Sequence, residues 1–172
     1  MPRNVEIKAR IENIEDLEDK VIGIADGEPT EIIQDDTFFK CINGRLKLRT
    51  FSEDQGELIF YKRADESGPK ESFYLISKTS EPSTLRESLN LAYGAAGRVQ
   101  KRRILYFVGR TRIHLDRVKG LGNFLELEVV LDDSETSDDG VEVAKAILCQ
   151  LGVKDTQLVE GAYVDLLHQS DA

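Results

Sequence analysis

Basic residues recur at alternate positions in several short stretches of this chain: Lys8 and Arg10; Arg45, Lys47 and Arg49; Lys101 and Arg103; Arg110 and Arg112. With Arg63, that places ten bases on candidate strand faces, because alternate side chains of a strand share a face. Arginine forks suit phosphate oxygens, and lysines act as point charges toward the same groups. Two stretches add carboxylates. Glu6 shares a face with Lys8, and Phe124-Leu125-Glu126-Leu127-Glu128 puts Glu126 and Glu128 side by side. Carboxylates two apart on a strand lie about 6.5–7 Å from each other, close enough to hold one or two divalent cations through oxygen. A divalent ion there would bridge the phosphates that the bases grip. The predicted ligand is a triphosphate. His114 and Asp116 extend the face of Arg112, with the lone histidine expected as a structural hydrogen-bonder.

The elements that must carry these residues are mostly strands. Residues 4–11 alternate, with Val5, Ile7 and Ala9 opposite the charged side chains. Residues 12–23 have helical spacing of Ile14, Leu17, Val21 and Ile22, with Gly23 as the stop. Residues 32–42 read as a strand, and Asn43-Gly44 as a hairpin turn. Further strands are expected over 45–49, 57–63, 72–77, 99–108, 111–117 and 124–131. A helix from Ser80 or Ser83 should bury Leu85, Leu89 and Tyr93, and a second spans 141–151 before Gly152. The acidic run 132–139 reads as a surface loop, and Phe38, Phe39, Phe60 and Tyr61 as packing residues. The expected fold is α+β, with a mainly antiparallel sheet in a single domain spanning 1–172. If the apolar faces 5-7-9, 46-48 and 125-127-129 pack outward under helices, the sheet closes into a barrel with a charged, wet interior. An open sheet with a solvated charged face fits the pattern equally well.

With 172 residues the chain can build a proper core, and 40% apolar with 32% charged residues is a globular composition. A formal charge of −9 argues against a nucleic-acid surface. No apolar run approaches a membrane span, and the first residues lack a secretory pattern. Cys41 and Cys149 have no metal-ligand spacing and are expected to be reduced, partly buried thiols. A cytoplasmic location is expected.

Taken together, these stretches resemble the CYTH proteins, the triphosphate tunnel metalloenzymes. Asn4-Val5-Glu6-Ile7-Lys8 is similar to their opening ExExK signature, and Arg45-Leu46-Lys47-Leu48-Arg49 to their basic second motif. Lys101-Arg102-Arg103 resembles the central K-x-R. The run Gly120-Leu121-Gly122-Asn123-Phe124-Leu125-Glu126-Leu127-Glu128 resembles GLGxFxEIE, and Tyr163-Val164-Asp165-Leu166-Leu167 the C-terminal segment. The resemblance implies a closed eight-stranded antiparallel β-barrel with helices packed outside. It implies Glu6, Asp116, Glu126 and Glu128 as ligands of Mg²⁺ or Mn²⁺. Lys8, Arg10, Arg45, Lys47, Arg49, Arg63, Lys101, Arg103 and Arg112 would bind the triphosphate, with Lys62 the alternative to Arg63 if strand parity shifts by one. Lys8, Arg49, Glu126 and Glu128 would carry the catalysis. Asn4 departs from the signature, which has Glu there; an amide oxygen ligates a hard cation but brings no charge. The implied activities are hydrolysis of an inorganic or organic triphosphate, or cyclisation of ATP to cyclic AMP and pyrophosphate. A non-catalytic phosphate-binding module is the third possibility.

Overall fold

The structure, a computed structural model, describes residues 3–63 and 68–170. Eight strands form one closed antiparallel ring: β1 (Arg3–Ile11), β2 (Thr30–Phe39), β3 (Arg45–Ser52), β4 (Gln55–Arg63), β5 (Lys70–Thr79), β6 (Ala95–Val108), β7 (Thr111–Val118) and β8 (Gly122–Val130). Around the barrel they run β1-β5-β4-β3-β2-β6-β7-β8, and β8 pairs back onto β1. Closure removes every free sheet edge and gives each strand one inward and one outward face. Four α-helices lie outside or across one end: α1 (Ile14–Ile22), α2 (Pro82–Tyr93), α3 (Ser137–Leu151) and α4 (Tyr163–Ser170).

The main apolar core lies between the barrel wall and its helices, not inside the barrel. Val5, Ile7 and Ala9 of β1, Ile113 and Leu115 of β7, and Leu125, Leu127 and Val129 of β8 face outward and are fully covered. Their cover is the buried stripe Ile14, Leu17 and Val21 of α1 with Ala144, Ile147, Leu148 and Leu151 of α3. Each such leucine or isoleucine contributes about 1.5–3 kcal/mol. Local signals set the helix ends. Asn13 caps α1 by accepting from the Asp16 N–H. Thr136 and Asp139 cap α3 reciprocally, so the last residues of the acidic run form its first turn rather than a loop. Gly152, at φ 69°, ends α3 in the left-handed conformation.

Three expectations change. Strand β2 stops at Phe39, three residues before the predicted end. Helix α2 buries only Pro82; Leu85 and Leu89 are half-buried, and Tyr93 is 59% exposed. This helix is tied down through its first turns, by Pro82 against Gly56 and by Arg86 donating to Thr50 (2.7 Å), so its far end gains little burial. Both cysteines are free thiols, but they are exposed rather than partly buried, Cys41 in the β2–β3 connection and Cys149 on α3.

Candidate active site

Inward-facing side chains of all eight strands line one cavity of about 400 Å³. Strand register stacks them across the barrel. Glu6 faces Glu128, Lys8 faces Glu126, and Asn4 lies one inward position before Glu6 on β1. Arg112 and His114 of β7 oppose Glu128 and Glu126. On β6, Arg103 opposes Asp116 and Lys101 opposes Gln34 of β2; Asp36, on the same face of β2, opposes Arg49 of β3.

Glu6, Glu126 and Glu128 each bring one carboxylate oxygen within 4.8 Å of the others'. These are hard oxygen donors of the kind that Mg²⁺ and Mn²⁺ favour. Asn4 is 2% exposed, lines the same cavity, and its Oδ1 has no hydrogen-bond partner. A buried amide oxygen left without a donor is costly, which fits a neutral ligand position beside the three carboxylates. Burial, then the charges of Glu6 and Glu126, push Glu128 up to about 7. Burial alone would raise Glu126 as well, but Lys8, Arg103 and Lys101 hold it well below the usual carboxylate range.

Six bases line the cavity: Lys8, Lys47, Arg49, Lys101, Arg103 and Arg112. Two are braced by acids that the register of neighbouring strands sets opposite them. Asp36 takes Arg49 through Nε and Nη2, both at 2.8 Å, and lies 3.3 Å from Lys47 Nζ. Burial opposes ionisation of Asp36, yet Arg49 and Lys47 hold its carboxyl far below its ordinary range. Asp116 takes Arg103 in the same way, at 2.7 Å twice, and also accepts from Tyr163 Oη at 2.7 Å. Burial and the like charge of Arg49 lower Lys47 to about 8, and burial with Arg103 holds Lys101 well below its ordinary value.

One end of the tunnel is shut. Tyr163, the first residue of α4, is 4% exposed, with Lys8 Nζ 4.0 Å and Lys101 Nζ 4.9 Å from its ring centre. Lys8 also donates to the Gly161 carbonyl (2.9 Å), and Arg45 pairs with Asp165 of α4. Helix α4 approaches β6 at Gly97, where a Cβ would lie 2.3 Å from Val164.

The expected residues therefore divide. Glu6, Glu126, Glu128, Lys8, Lys47, Arg49, Lys101, Arg103 and Arg112 converge in the cavity. Asp116 does not join the carboxylate triad, because Arg103 and Tyr163 take its oxygens. Arg10 is exposed at the shut end, 4.8 Å over the Phe124 ring, and Arg45 is spent on Asp165, so neither lines the cavity. Arg110 sits in the β6–β7 turn and pairs with Glu135. Lys62 is exposed; Arg63 belongs to β4, but its side chain lies outside the described residues. His114 is buried, with Nδ1 3.4 Å from Glu128, and burial and Arg103 keep it neutral. Phe38 and Tyr61 line the cavity rather than the outer core, with Lys47 above both rings. Gln34 and Asp36 were missed. Their signal was the inward parity of β2, which Phe38 shares.

The chain matches the CYTH domain model over residues 2–163. It is 28% identical to adenylate cyclase CyaB of Aeromonas hydrophila over 125 residues, 73% of this chain and 63% of that protein, so the match spans under two thirds of that relative. A solved protein of Pyrococcus horikoshii superposes with TM-score 0.83 at 23% identity, over 95% of this chain and 99% of the other. A protein of Hippeastrum, described as a putative adenylyl cyclase with a dominant triphosphatase activity, superposes with TM-score 0.69 at 13% identity, over 99% and 96%. The closed eight-stranded barrel, the ordered charged faces within it and the family match agree: this chain belongs to the CYTH domain family.

Proposed function

We propose that this protein is a divalent-metal-dependent phosphohydrolase that acts on a triphosphate held in its tunnel. The observation that carries the reading is the carboxylate triad Glu6, Glu126 and Glu128 set among six inward bases in one cavity. Glu6, Glu126 and Glu128, with Asn4 as a neutral fourth donor, would hold Mg²⁺ or Mn²⁺. Such an ion neutralises phosphate charge and lowers the pKa of a bound water.

The remaining work falls to the chain itself, and it is positioning and electrostatics. Asp36 and Asp116 occupy Nε and Nη2 of Arg49 and Arg103, which leaves Nη1 of each to meet a phosphate oxygen. Because these forks are fixed before the ligand arrives, little reorganisation is needed at the moment of reaction. Lys8, Lys47 and Lys101 supply point charges, and Arg112 supplies one nearer the solvent. Lys8 and Arg49 are the groups assigned to the charge that develops on the transferred phosphoryl. Asp116 is then a positioning residue for Arg103, not a metal ligand.

The test is incubation of purified protein with tripolyphosphate and with ATP, each with Mg²⁺ or Mn²⁺, and separation of the products. Orthophosphate release is expected. The name of the Aeromonas relative favours a second reading, in which ATP gives cyclic AMP and pyrophosphate. Binding without turnover would reduce the protein to a phosphate-binding module. Glu126→Gln should abolish turnover and weaken Mn²⁺ binding in calorimetry; wild-type turnover in that variant overturns the metal assignment.

A further inference from the structure

Gln34 stands apart from the charged groups that share its wall. It is 4% exposed and lines the cavity, and its Oε1 has no protein hydrogen-bond partner among the described residues. Its inward neighbours explain why. Lys101, opposite it on β6, reaches toward Tyr163 instead, with Nζ 4.9 Å from the ring centre. Ile32 and Asp36 flank it on β2; the first carries no donor, and the second is an acceptor already given to Arg49. Phe51, which follows Arg49 on the inner face of β3, is apolar. A buried carbonyl oxygen without a donor is destabilising, so the group that satisfies it has to come from the contents of the cavity. The position of Gln34 is as specific as its chemistry. Asp36 opposes Arg49 and Ile32 opposes Arg103, and Gln34 is the inward residue between them. Strand β2 lies four strands from β1 in either direction around the ring, so Gln34 faces the Glu6 wall across the bore.

An ionised phosphate oxygen only accepts hydrogen bonds and cannot satisfy another acceptor, whereas a water can, because it donates. We propose that Gln34 orients the water that attacks the terminal phosphorus of the bound triphosphate. The water donates one O–H to Oε1 of Gln34, which turns a lone pair toward the phosphoryl group held by Arg49 and Arg103. This deepens, and rests on, the reading of the tunnel as a phosphohydrolase site. In-line displacement needs the entering and departing oxygens on opposite sides of phosphorus, and Gln34 and the carboxylate triad occupy opposite walls. With tripolyphosphate, the water oxygen forms the new P–O bond, the bridging P–O bond breaks, and its electron pair leaves on pyrophosphate. One proton of the water stays on the new orthophosphate and the other ends on pyrophosphate. The amide is neutral throughout; it orients the water and takes no proton from it.

The test is steady-state hydrolysis of tripolyphosphate with Mg²⁺ by the full chain, as wild type, Gln34→Leu and Gln34→Glu. Gln34→Leu fills about the same space and offers no acceptor. Misplacing a reacting group by about 1 Å can cost roughly a hundredfold in rate. The expected result is a kcat at least tenfold lower, with KM within threefold of wild type, because no contact to the phosphates is lost. The melting temperature should hold or rise, since the change removes a buried acceptor that has no protein donor; a structural role for Gln34 predicts a fall. In aqueous methanol the yield of methyl phosphate relative to orthophosphate should rise in Gln34→Leu, because water has lost its holder. Gln34→Glu keeps an acceptor oxygen and should recover kcat at least fivefold over Gln34→Leu. A smaller loss of kcat, an equal change in KM, a lowered melting temperature, an unchanged methanol partition or no recovery in Gln34→Glu overturns this role, and hydrolysis by the wild type then leaves the phosphohydrolase reading standing. A wild-type protein that does not hydrolyse tripolyphosphate overturns both.

Discussion

Replacing Asp36 by Asn probes the barrel interior most directly, because it keeps the side-chain shape and removes one buried charge. Asp36 is 1% exposed and gives two oxygens to Arg49 at 2.8 Å, with Lys47 Nζ at 3.3 Å. In the variant an amide donor faces a guanidinium and an ammonium, and both cations lose their counter-charge. Their side chains are 13% exposed each, so solvent recovers little of the loss. Breaking a buried ion pair by removing one partner costs about 3–5 kcal/mol. A tunnel wide enough for water moderates this, and we take about 3 kcal/mol. For a chain of 172 residues that is a fall in Tm of roughly 6–12 °C. Urea unfolding at pH 7, followed by circular dichroism, measures it. The pH dependence gives a second readout. Arg49 and Lys47 hold the folded-state pKa of Asp36 below the ordinary aspartate value of about 3.9, so its contribution is present above that pH and is lost as pH falls below it. The gap between wild type and variant should therefore close by about 1.4 kcal/mol per pH unit below the unfolded value. Tripolyphosphate should restore part of the lost stability, since its oxygens can replace the missing carboxylate. A loss under about 1 kcal/mol at pH 7, or a gap that does not narrow in acid, would refute the argument that Asp36 holds these two cations.

Three other outcomes follow from the same geometry. Lys47 titrates near 8, so triphosphate affinity should fall as pH rises through that value, by at most about tenfold per unit for this one proton. Lys47→Arg should flatten that slope in calorimetry at pH 7, 8 and 9, and an unchanged slope removes Lys47 from the ligand. Gly97→Ala would place a Cβ 2.3 Å from Val164 and push α4 away from β6, at a cost of about 1–3 kcal/mol; an unaltered unfolding midpoint would mean that α4 does not rest on the wall there. Tyr163→Phe removes the hydroxyl that donates to Asp116 at 2.7 Å, a loss of about 1 kcal/mol, and lets Arg103 move. Activity in this variant should fall through kcat more than KM, whereas equal effects on both would mean that Tyr163 only plugs the tunnel.

The parts of this molecule that period-two alternation controls were readable from the chain. The apolar faces of β1 and β8 do pack outward, and Lys101, Arg103, Arg112, Glu126 and Glu128 do share one interior. Alternation gives each side chain a face but no height along the barrel, and height separates function from support. Arg10 and Arg45 share faces with Lys8 and Lys47, yet they sit at the shut end, one above Phe124 and the other paired with Asp165. Asp116 has the parity of a metal ligand, but register sets it opposite Arg103 rather than beside Glu6. The contacts of Arg10 and Arg45 join segments more than 100 residues apart, which no local pattern encodes, whereas the Arg103–Asp116 pair follows from the register of the β6–β7 hairpin.

The same limit hides part of the charge balance of the interior. Glu6, Glu126 and Glu128 were expected among the bases, but Asp36 of β2 and Glu57 of β4 were not, and the barrel gathers all five among the six lining bases. The cavity is thus nearly balanced when empty, which is what makes so many charges tolerable inside a folded chain. A divalent cation bound by three of those carboxylates would cancel most of their charge and leave the bases in excess. Metal binding and triphosphate binding should therefore be cooperative, each raising the affinity of the other by the same factor. A Mn²⁺ titration with and without tripolyphosphate, corrected for Mn²⁺ chelation by free tripolyphosphate, measures that factor, and a value of one would mean that triad and bases act independently.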